Sequence, residues 1–391
     1  MTPRERVLFS INHKEPDRVP IDLGSLSVST MNRATLVSLQ LFLGGCRTQS
    51  GTSNIMQKRF QNVDVPEELL LKFGIDLRGI RPGKARNRHD IVFSDGRFID
   101  EWGITYAPSA GGAYYDIVGC PLAEVEIDEI ESHLQIDADD PGYTDGIRKR
   151  AEYLYHHTNY ALVGNMTSAQ IFERSWYLRG FERFLMDLSI DRQYAHKLLR
   201  ILTDIQKERV KNFLAEVGGY LQIFKVSDDL SGQLSPLISP QMYREMIQPY
   251  HREYFAHIKK HTNAKLALHS CGNFRPLLRD FIEAGVDIIH SVQQSCIDME
   301  PEGLKKEFGS DIVFWGGMDV QNLLPEASVQ EVKDRVRRLI DVMGQDGGYI
   351  FGPSHNIQAD VPPQNIVTMY EAVLSASLRG ESSSETSDQP R

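Results

Sequence analysis

The residues with the clearest capacity for chemistry are His269, Ser270 and Cys271, at the end of the apolar run Lys265-Leu266-Ala267-Leu268. An imidazole and a thiol at positions i and i+2, where an extended segment begins to turn, can converge on one ion, and this pair suits tetrahedral zinc. Two donors are too few for a site. The best-placed third donor is His355, in Pro353-Ser354-His355-Asn356 after another apolar segment, with Asp228, Asp229 or Glu173 as oxygen candidates. Structural alternatives stand beside this reading: Cys271 as a small buried thiol and His269 as a hydrogen-bonded core histidine. A metal-free catalytic histidine is a third option.

Asp228 and Asp229 follow the apolar run Leu221–Val226, which also carries Lys225. Adjacent carboxylates in that position can act as general acid or base, or orient a metal-bound histidine; they can equally close a turn by bonding their own backbone. Asp319, after Gly316-Gly317-Met318, is the third candidate catalytic acid. Gly316 and Gly317 are candidate cofactor contacts, because glycine lets backbone approach a ligand closely, or else they turn the chain tightly. The basic stretch from Arg78 to Arg88 could meet an anionic substrate or cofactor, but reads better as a solvated loop.

The elements that must position these residues alternate between helices and short apolar strands, the pattern of a parallel α/β fold. Thr2, Pro3 and Glu5 open a first helix that ends near Asn12. Strands are predicted at Val19–Leu23, Ala161–Val163, Leu221–Val226, Lys265–His269, Val286–Ile289, Ile312–Trp315 and Gly348–Phe351, with helices over 168–188, 191–217, from Pro240, and 274–284. That makes about seven inner strands of a (β/α)8 barrel, with the eighth sought in 107–120. An N-terminal extension and a hairpin over 91–107, turning at Asp95-Gly96, decorate it. One unit is expected over 1–378, followed by a polar, disordered tail over 379–391. In such barrels the site is built where strands end, which is where the candidate residues fall.

The 391 residues are 41% hydrophobic and 25% charged, with a net charge of -10. The acidic balance argues against nucleic-acid binding, and no apolar run is long enough for a membrane span. The four cysteines, Cys46, Cys120, Cys271 and Cys296, form no disulfide framework, and the N-terminus has no secretory character. A cytoplasmic enzyme of small-molecule chemistry is expected. A homodimer is an open option.

Several segments together resemble the uroporphyrinogen decarboxylase superfamily. They are Arg4-Glu5-Arg6-Val7 with Lys14-Glu15-Pro16-Asp17-Arg18-Val19-Pro20, Asp228-Asp229 with Ile238-Ser239-Pro240, His269-Ser270-Cys271-Gly272, and His355-Asn356-Ile357 with Val361-Pro362-Pro363-Gln364-Asn365-Ile366. The resemblance covers nearly the whole chain and implies a barrel with one of two chemistries. One is porphyrinogen decarboxylation, which in that family uses an early Arg-Gln-Ala-Gly-Arg motif; this chain lacks it. The other is zinc-dependent methyl transfer with a corrinoid protein, which uses a His-x-Cys pair and a later thiolate. His355 stands where that thiolate is expected. The implied function is a methyltransferase between a small O- or S-methyl compound and a corrinoid protein or thiol, with zinc on His269, Cys271 and His355. Alternatives are a decarboxylase using Asp22, Asp228 or His355 as acids, and a non-catalytic tetrapyrrole-binding protein.

Overall fold

The computed structural model describes residues 1–44, 55–111 and 114–382. Near the N-terminus β1 (Met31–Asn32), β2 (Ile55–Gln57) and β3 (Asn62–Val63) form a small antiparallel sheet. Then follow β4 (Leu77–Ile80) and the strands β5 (Ile91–Val92), β6 (Phe98–Ile99), β7 (Thr105–Pro108) and β8 (Tyr115–Gly119). The remainder are β9 (Ala161–Ala169), β10 (Ile223–Ser227), β11 (Lys265–His269), β12 (Ile288–Ser291), β13 (Val313–Met318) and β14 (Tyr349–Pro353). Seven of these make one curled parallel sheet in the order β14-β13-β12-β11-β10-β9-β4, with helices on its outer face. Its strands are buried on both sides, so they read as near-continuous apolar runs.

The curled sheet is joined at its two edges by the segment around Ile21. Ile21 pairs in parallel with Phe351 of β14, through Asp22 N to Phe351 O at 2.8 Å and Phe351 N to Pro20 O at 2.8 Å. On the other side Asp76 N donates to Ile21 O at 2.9 Å, and Asp76 O accepts from Ala161 N at 3.0 Å. The predicted strand at Val19–Leu23 therefore occupies the eighth staves' place between β14 and β4, and the architecture is that of a (β/α)8 barrel.

The other inner strand is β4, not a strand in 107–120. Residues 105–119 instead extend the decorating hairpin into a four-stranded antiparallel sheet, β5-β6-β7-β8. Sequence reasoning passed over β4 because Arg78 and Gly79 interrupt it. Both have packing reasons to be there. Arg78 is buried, with its guanidinium donating to Ile75 O and Leu77 O, paired with Glu67 at 2.7 Å and lying over the Tyr160 ring. At Gly79 an added Cβ would come within 2.3 Å of Ser25 O.

Inside the barrel, alternate residues of successive strands stack in layers. The lower layers hold Leu77, Val163, Ile223, Ala267, Ile288, Val313 and Ile350, closed beneath by Val7 of the first helix and Ile11 just after it. That helix, Pro3–Ser10, has the predicted capping box between Thr2 and Glu5. Two residues further along the strands the same inward face carries Lys225, His269 and His290. The predicted helix over 168–188 is divided: its start belongs to β9, and Gly180, at φ +98°, separates Phe172–Arg179 from Phe181–Ile190. The last helix runs Pro363–Ser382, and residues 383–391 of the expected disordered tail lie outside the described residues. No helix among the described residues is long and apolar enough to cross a membrane.

Candidate active site

Strand period places the central group. His269 ends β11 opposite Ser227 of β10 and His290 of β12, so its ring projects into the barrel beside theirs. Gly272, at φ +83°, then turns the chain where a Cβ would meet Gly232 O at 2.4 Å, which swings Cys271 back toward His269. The Cys271 Sγ lies 3.3 Å from His269 Nε2. His355, just beyond β14, completes the group: one donor atom from each of His269, Cys271 and His355 lies within 4.8 Å of the others.

These donors fit a zinc ion in four respects. Tetrahedral zinc with one thiolate and two imidazoles spaces its donors about 3.3–3.6 Å apart, so the separations, all within 4.8 Å, need to close by about 1.5 Å at most. His269 Nδ1 is already engaged with His290 Nδ1 at 2.7 Å, leaving Nε2 free on the side of Cys271. The acids nearby are pushed toward their neutral forms: burial, aided by neighbouring acids, raises Asp229, holds Glu173 at about 8 and drives the Cys271 thiol well up. A crowd of buried acids around a thiol is an environment that a divalent cation would stabilise. Burial holds His355 down to about 4 and His269 well below its usual range, so both imidazoles are neutral at pH 7, the form in which an imidazole can bind a metal.

The two adjacent aspartates play different parts. Asp229 lines the cavity, accepts the Cys271 amide at 2.8 Å and stands 3.8 Å from His269 Nε2. Asp228 turns away. Its carboxylate accepts from the amides of Ile171 at 3.2 Å, Phe172 at 2.9 Å and Glu173 at 2.6 Å, and it pairs with His251 at 2.9 Å. It thus anchors the start of the helix Phe172–Arg179, which carries Glu173. Asp228, His269, Asp319 and His355 were expected to face one cavity, and for two of them this needs correction. Asp228 directs both carboxylate oxygens at the scaffold, and Asp319 caps the turn after β13 by accepting from Gln321 and Asn322 amides. Asp319 borders a separate shallow depression with Asn322, Glu331 and Arg335.

Gly316 and Gly317 also lie off the cavity among the described residues. Both have positive φ, a Cβ on Gly316 would meet Ser291 O at 2.4 Å, and their carbonyls accept from Tyr349 and Gln294. They serve the close packing of β13 against its neighbours rather than an approach to a cofactor. Asp22, an acid candidate in the decarboxylase reading, is buried beneath the site, with Trp315 Nε1 donating to its Oδ2 at 3.2 Å.

The cavity that His269 and His355 line has a volume of about 740 Å³. Its far wall comes from parts that sequence reasoning did not connect to the site: Arg59 and Phe60 after β2, Phe98, Trp102 and Tyr106 of the antiparallel sheet, and Arg174 and Tyr177 of the helix that starts at Phe172. Tyr177 donates to Glu173, and Arg59 donates in turn to the Tyr177 hydroxyl. Lys225 is fully buried below, bonded to Ser227 and to Met166 O, and burial lowers it to about 8. The advance signals for the wall were its aromatic content, scattered over the chain, and the basic stretch from Arg78 to Arg88, of which Lys84 and Arg88 line the cavity.

Asp22 offers a test that needs no ligand. Burial raises its carboxyl to about 6, against an ordinary value near 3.8. A raised acid contributes stability that is fully present below the unfolded value and lost as pH rises through the folded one. Between about pH 4 and 6 the wild type should therefore lose up to about 3 kcal/mol relative to Asp22→Asn. Urea midpoints of both proteins across that range would show it, and a pH-independent difference would contradict it.

Comparison with known proteins adds the family. The profile described as Uroporphyrinogen decarboxylase (URO-D) matches residues 104–375. A methylated-thiol–coenzyme M methyltransferase of Methanosarcina mazei is 27% identical over 191 residues, 47% of this chain and 48% of the relative. A uroporphyrinogen decarboxylase of Legionella pneumophila is 24% identical over 196 residues, 50% of this chain and 52% of the relative. The chain thus spans about half the length of the curated relatives it matches. A solved methyltransferase from Methanosarcina mazei shares the fold, with a TM-score of 0.63 at 14% identity over 96% of this chain and 99% of that one.

Proposed function

The chain belongs to the uroporphyrinogen decarboxylase family, and on that premise we propose that it transfers a methyl group between a small O- or S-methyl compound and a corrinoid protein or thiol. One observation carries the reading: His269 and Cys271 at the end of β11 and His355 just beyond β14 bring their donor atoms within 4.8 Å of one another. They would hold a zinc ion that, when bound, lowers the pKa of an attached thiol or polarises the heteroatom bearing the methyl group. His290 fixes the His269 ring so that Nε2 faces Cys271. Asp229 holds the Cys271 backbone, and its carboxylate is placed to orient donors from behind. Glu173, gripped by Tyr177, is the cavity acid able to hold or hand over a proton to the departing heteroatom. The aromatic wall keeps water from the reacting group and presents flat faces to a small organic substrate. The mouth of the barrel is where a corrinoid protein would dock.

The test sets two activities against each other. Zinc-loaded protein is given cob(I)alamin with methyl thioethers or aryl methyl ethers, or methylcobalamin with thiols, and the change in cobalamin absorbance is followed. The expected result is turnover in at least one direction that His269→Ala removes. Uroporphyrinogen should give no coproporphyrinogen above background, since the early arginine motif is missing. Efficient decarboxylation without methyl transfer would replace this reading by the decarboxylase one, which the Legionella pneumophila relatives represent.

A further inference from the structure

Arg209, which lines the cavity, pairs with Glu101 at 3.1 Å. Arg174 and Arg59 have no carboxylate so close among the described residues. A guanidinium carries five N–H donors. Arg174 is only 3% exposed, yet its one hydrogen bond among the described residues is a long contact of 3.4 Å to Ala169 O. Its Nε is buried with no acceptor, and the nearest carboxylate oxygen, Asp100 Oδ2, is 3.9 Å from Nη1. Asp100 is already engaged by the amides of Trp102 and Ile104 and by the Tyr106 hydroxyl, and burial raises its carboxyl, which weakens it further as a counter-ion. Among the described residues Arg59 uses a single donor, toward Tyr177, and its Nε is also buried without an acceptor. The two cations sit over the same ring, with their guanidinium carbons 4.7 and 5.5 Å from the Tyr177 centroid, and both line the cavity.

Two guanidinium groups packed on one ring with so few acceptors is an unfavourable arrangement for the empty protein, because buried donors without partners each cost free energy. A bound anion removes that cost. Stacking on Tyr177, Trp102 and Phe60 fixes the planes of the forks, which suits the flat, bidentate geometry of an oxyanion. We propose that Arg59 and Arg174 form an anion subsite, so that the substrate of this cavity carries a carboxylate or sulfonate in addition to its methyl-bearing heteroatom. This rests on the cavity being the substrate site of the proposed methyl transfer and names the substrate class within it.

The experiment measures binding, not turnover. Matched probes that differ in charge are titrated calorimetrically into the full-length protein: 3-methoxybenzoate against 3-methoxybenzyl alcohol, and 2-(methylthio)ethanesulfonate against 2-(methylthio)ethanol. The wild type should prefer the anionic member of at least one pair by about tenfold or more, as expected for a charge-assisted bidentate contact. The pair that shows the preference distinguishes a carboxylate from a sulfonate. Arg59→Gln and Arg174→Gln should each reduce that preference to about twofold while leaving the neutral probe unchanged. Arg59 is only half-buried, so Arg59→Gln keeps the test open if Arg174→Gln fails to fold. Equal binding of charged and neutral probes by the wild type, absence of binding by all four, or a preference that survives in Arg59→Gln would overturn the subsite. A charge preference lost in the variants, in a protein that transfers no methyl group, would retain the subsite and reject the proposed reaction.

Discussion

Cys271→Ala is expected to lower the protein's affinity for zinc by roughly a hundredfold or more while leaving the barrel folded. Structural zinc binding worth about 10–16 kcal/mol shared over three or four donors assigns about 3 kcal/mol or more to each. Cys271 supplies the one thiolate of the set, and it sits at a turn at the edge of the packed core, so its removal opens no large cavity there. His290→Ala should weaken zinc less, by about ten- to a hundredfold, because it removes the partner that orients His269 and not a donor. Cys296→Ala should leave binding unchanged, since that thiol is buried after β12 and outside the donor group. Because the Cys271 thiol is held well above its usual range without a cation, binding must release its proton, and affinity should rise with pH. Competition titration against a chromophoric chelator measures all four proteins. Equal zinc uptake by wild type and Cys271→Ala would leave the methyltransferase reading without its chemical basis.

The second large effect concerns closure of the barrel. Asp76→Asn should destabilise the protein by about 3–5 kcal/mol, the usual cost of removing one partner from a buried ion pair. Its carboxylate is wholly buried and accepts from Arg6 at 2.6 Å, from Arg18 at 2.7 and 2.9 Å, and from the Ile21 amide at 2.8 Å. Neutralising it strands two guanidinium groups at the seam where the Ile21 segment joins β4. Arg6 has a second partner in Asp17, but Asp17 is more exposed and lies outside the seam. Urea unfolding followed by tryptophan fluorescence gives the difference directly. A loss below about 1 kcal/mol would mean that the backbone pairing of Ile21 holds the seam without help from charge.

What could be read in advance follows a physical division. Six of the seven strands of the parallel sheet, and the Ile21 segment that joins its edges, were legible because a doubly buried strand must be apolar throughout. β4 was not, since its arginine is satisfied by backbone carbonyls and its glycine is dictated by a neighbouring carbonyl, and neither fact is local in sequence. The convergence of His269, Cys271 and His355 was foreseeable from the rule that barrel chemistry gathers at strand ends. The same rule overreached at Asp228 and Asp319. A carboxylate at a strand end is as well suited to binding helix or turn amides as to facing a cavity, and only the positions of residues 171–173 and 321–322 decide between the two. Arg59, Trp102, Arg174 and Tyr177 were out of reach for a different reason. They come from elements added to the barrel, for which strand periodicity says nothing about direction.

The seam at Ile21 also has a temporal side. Ile21 and its partner Phe351 are 330 positions apart in the chain. At a synthesis rate of about 5–20 residues per second, roughly twenty to sixty seconds separate their emergence from the ribosome. For that interval the Pro20–Asp22 backbone has no β14 to pair with, while β4 and β9 through β13 become available in order. The nascent chain must therefore carry an open sheet with two unpaired edges until its final strand appears. Those edges are what chaperones would be expected to shield, and the arginines that bind Asp76 would keep the first segment docked on one edge while the other waits.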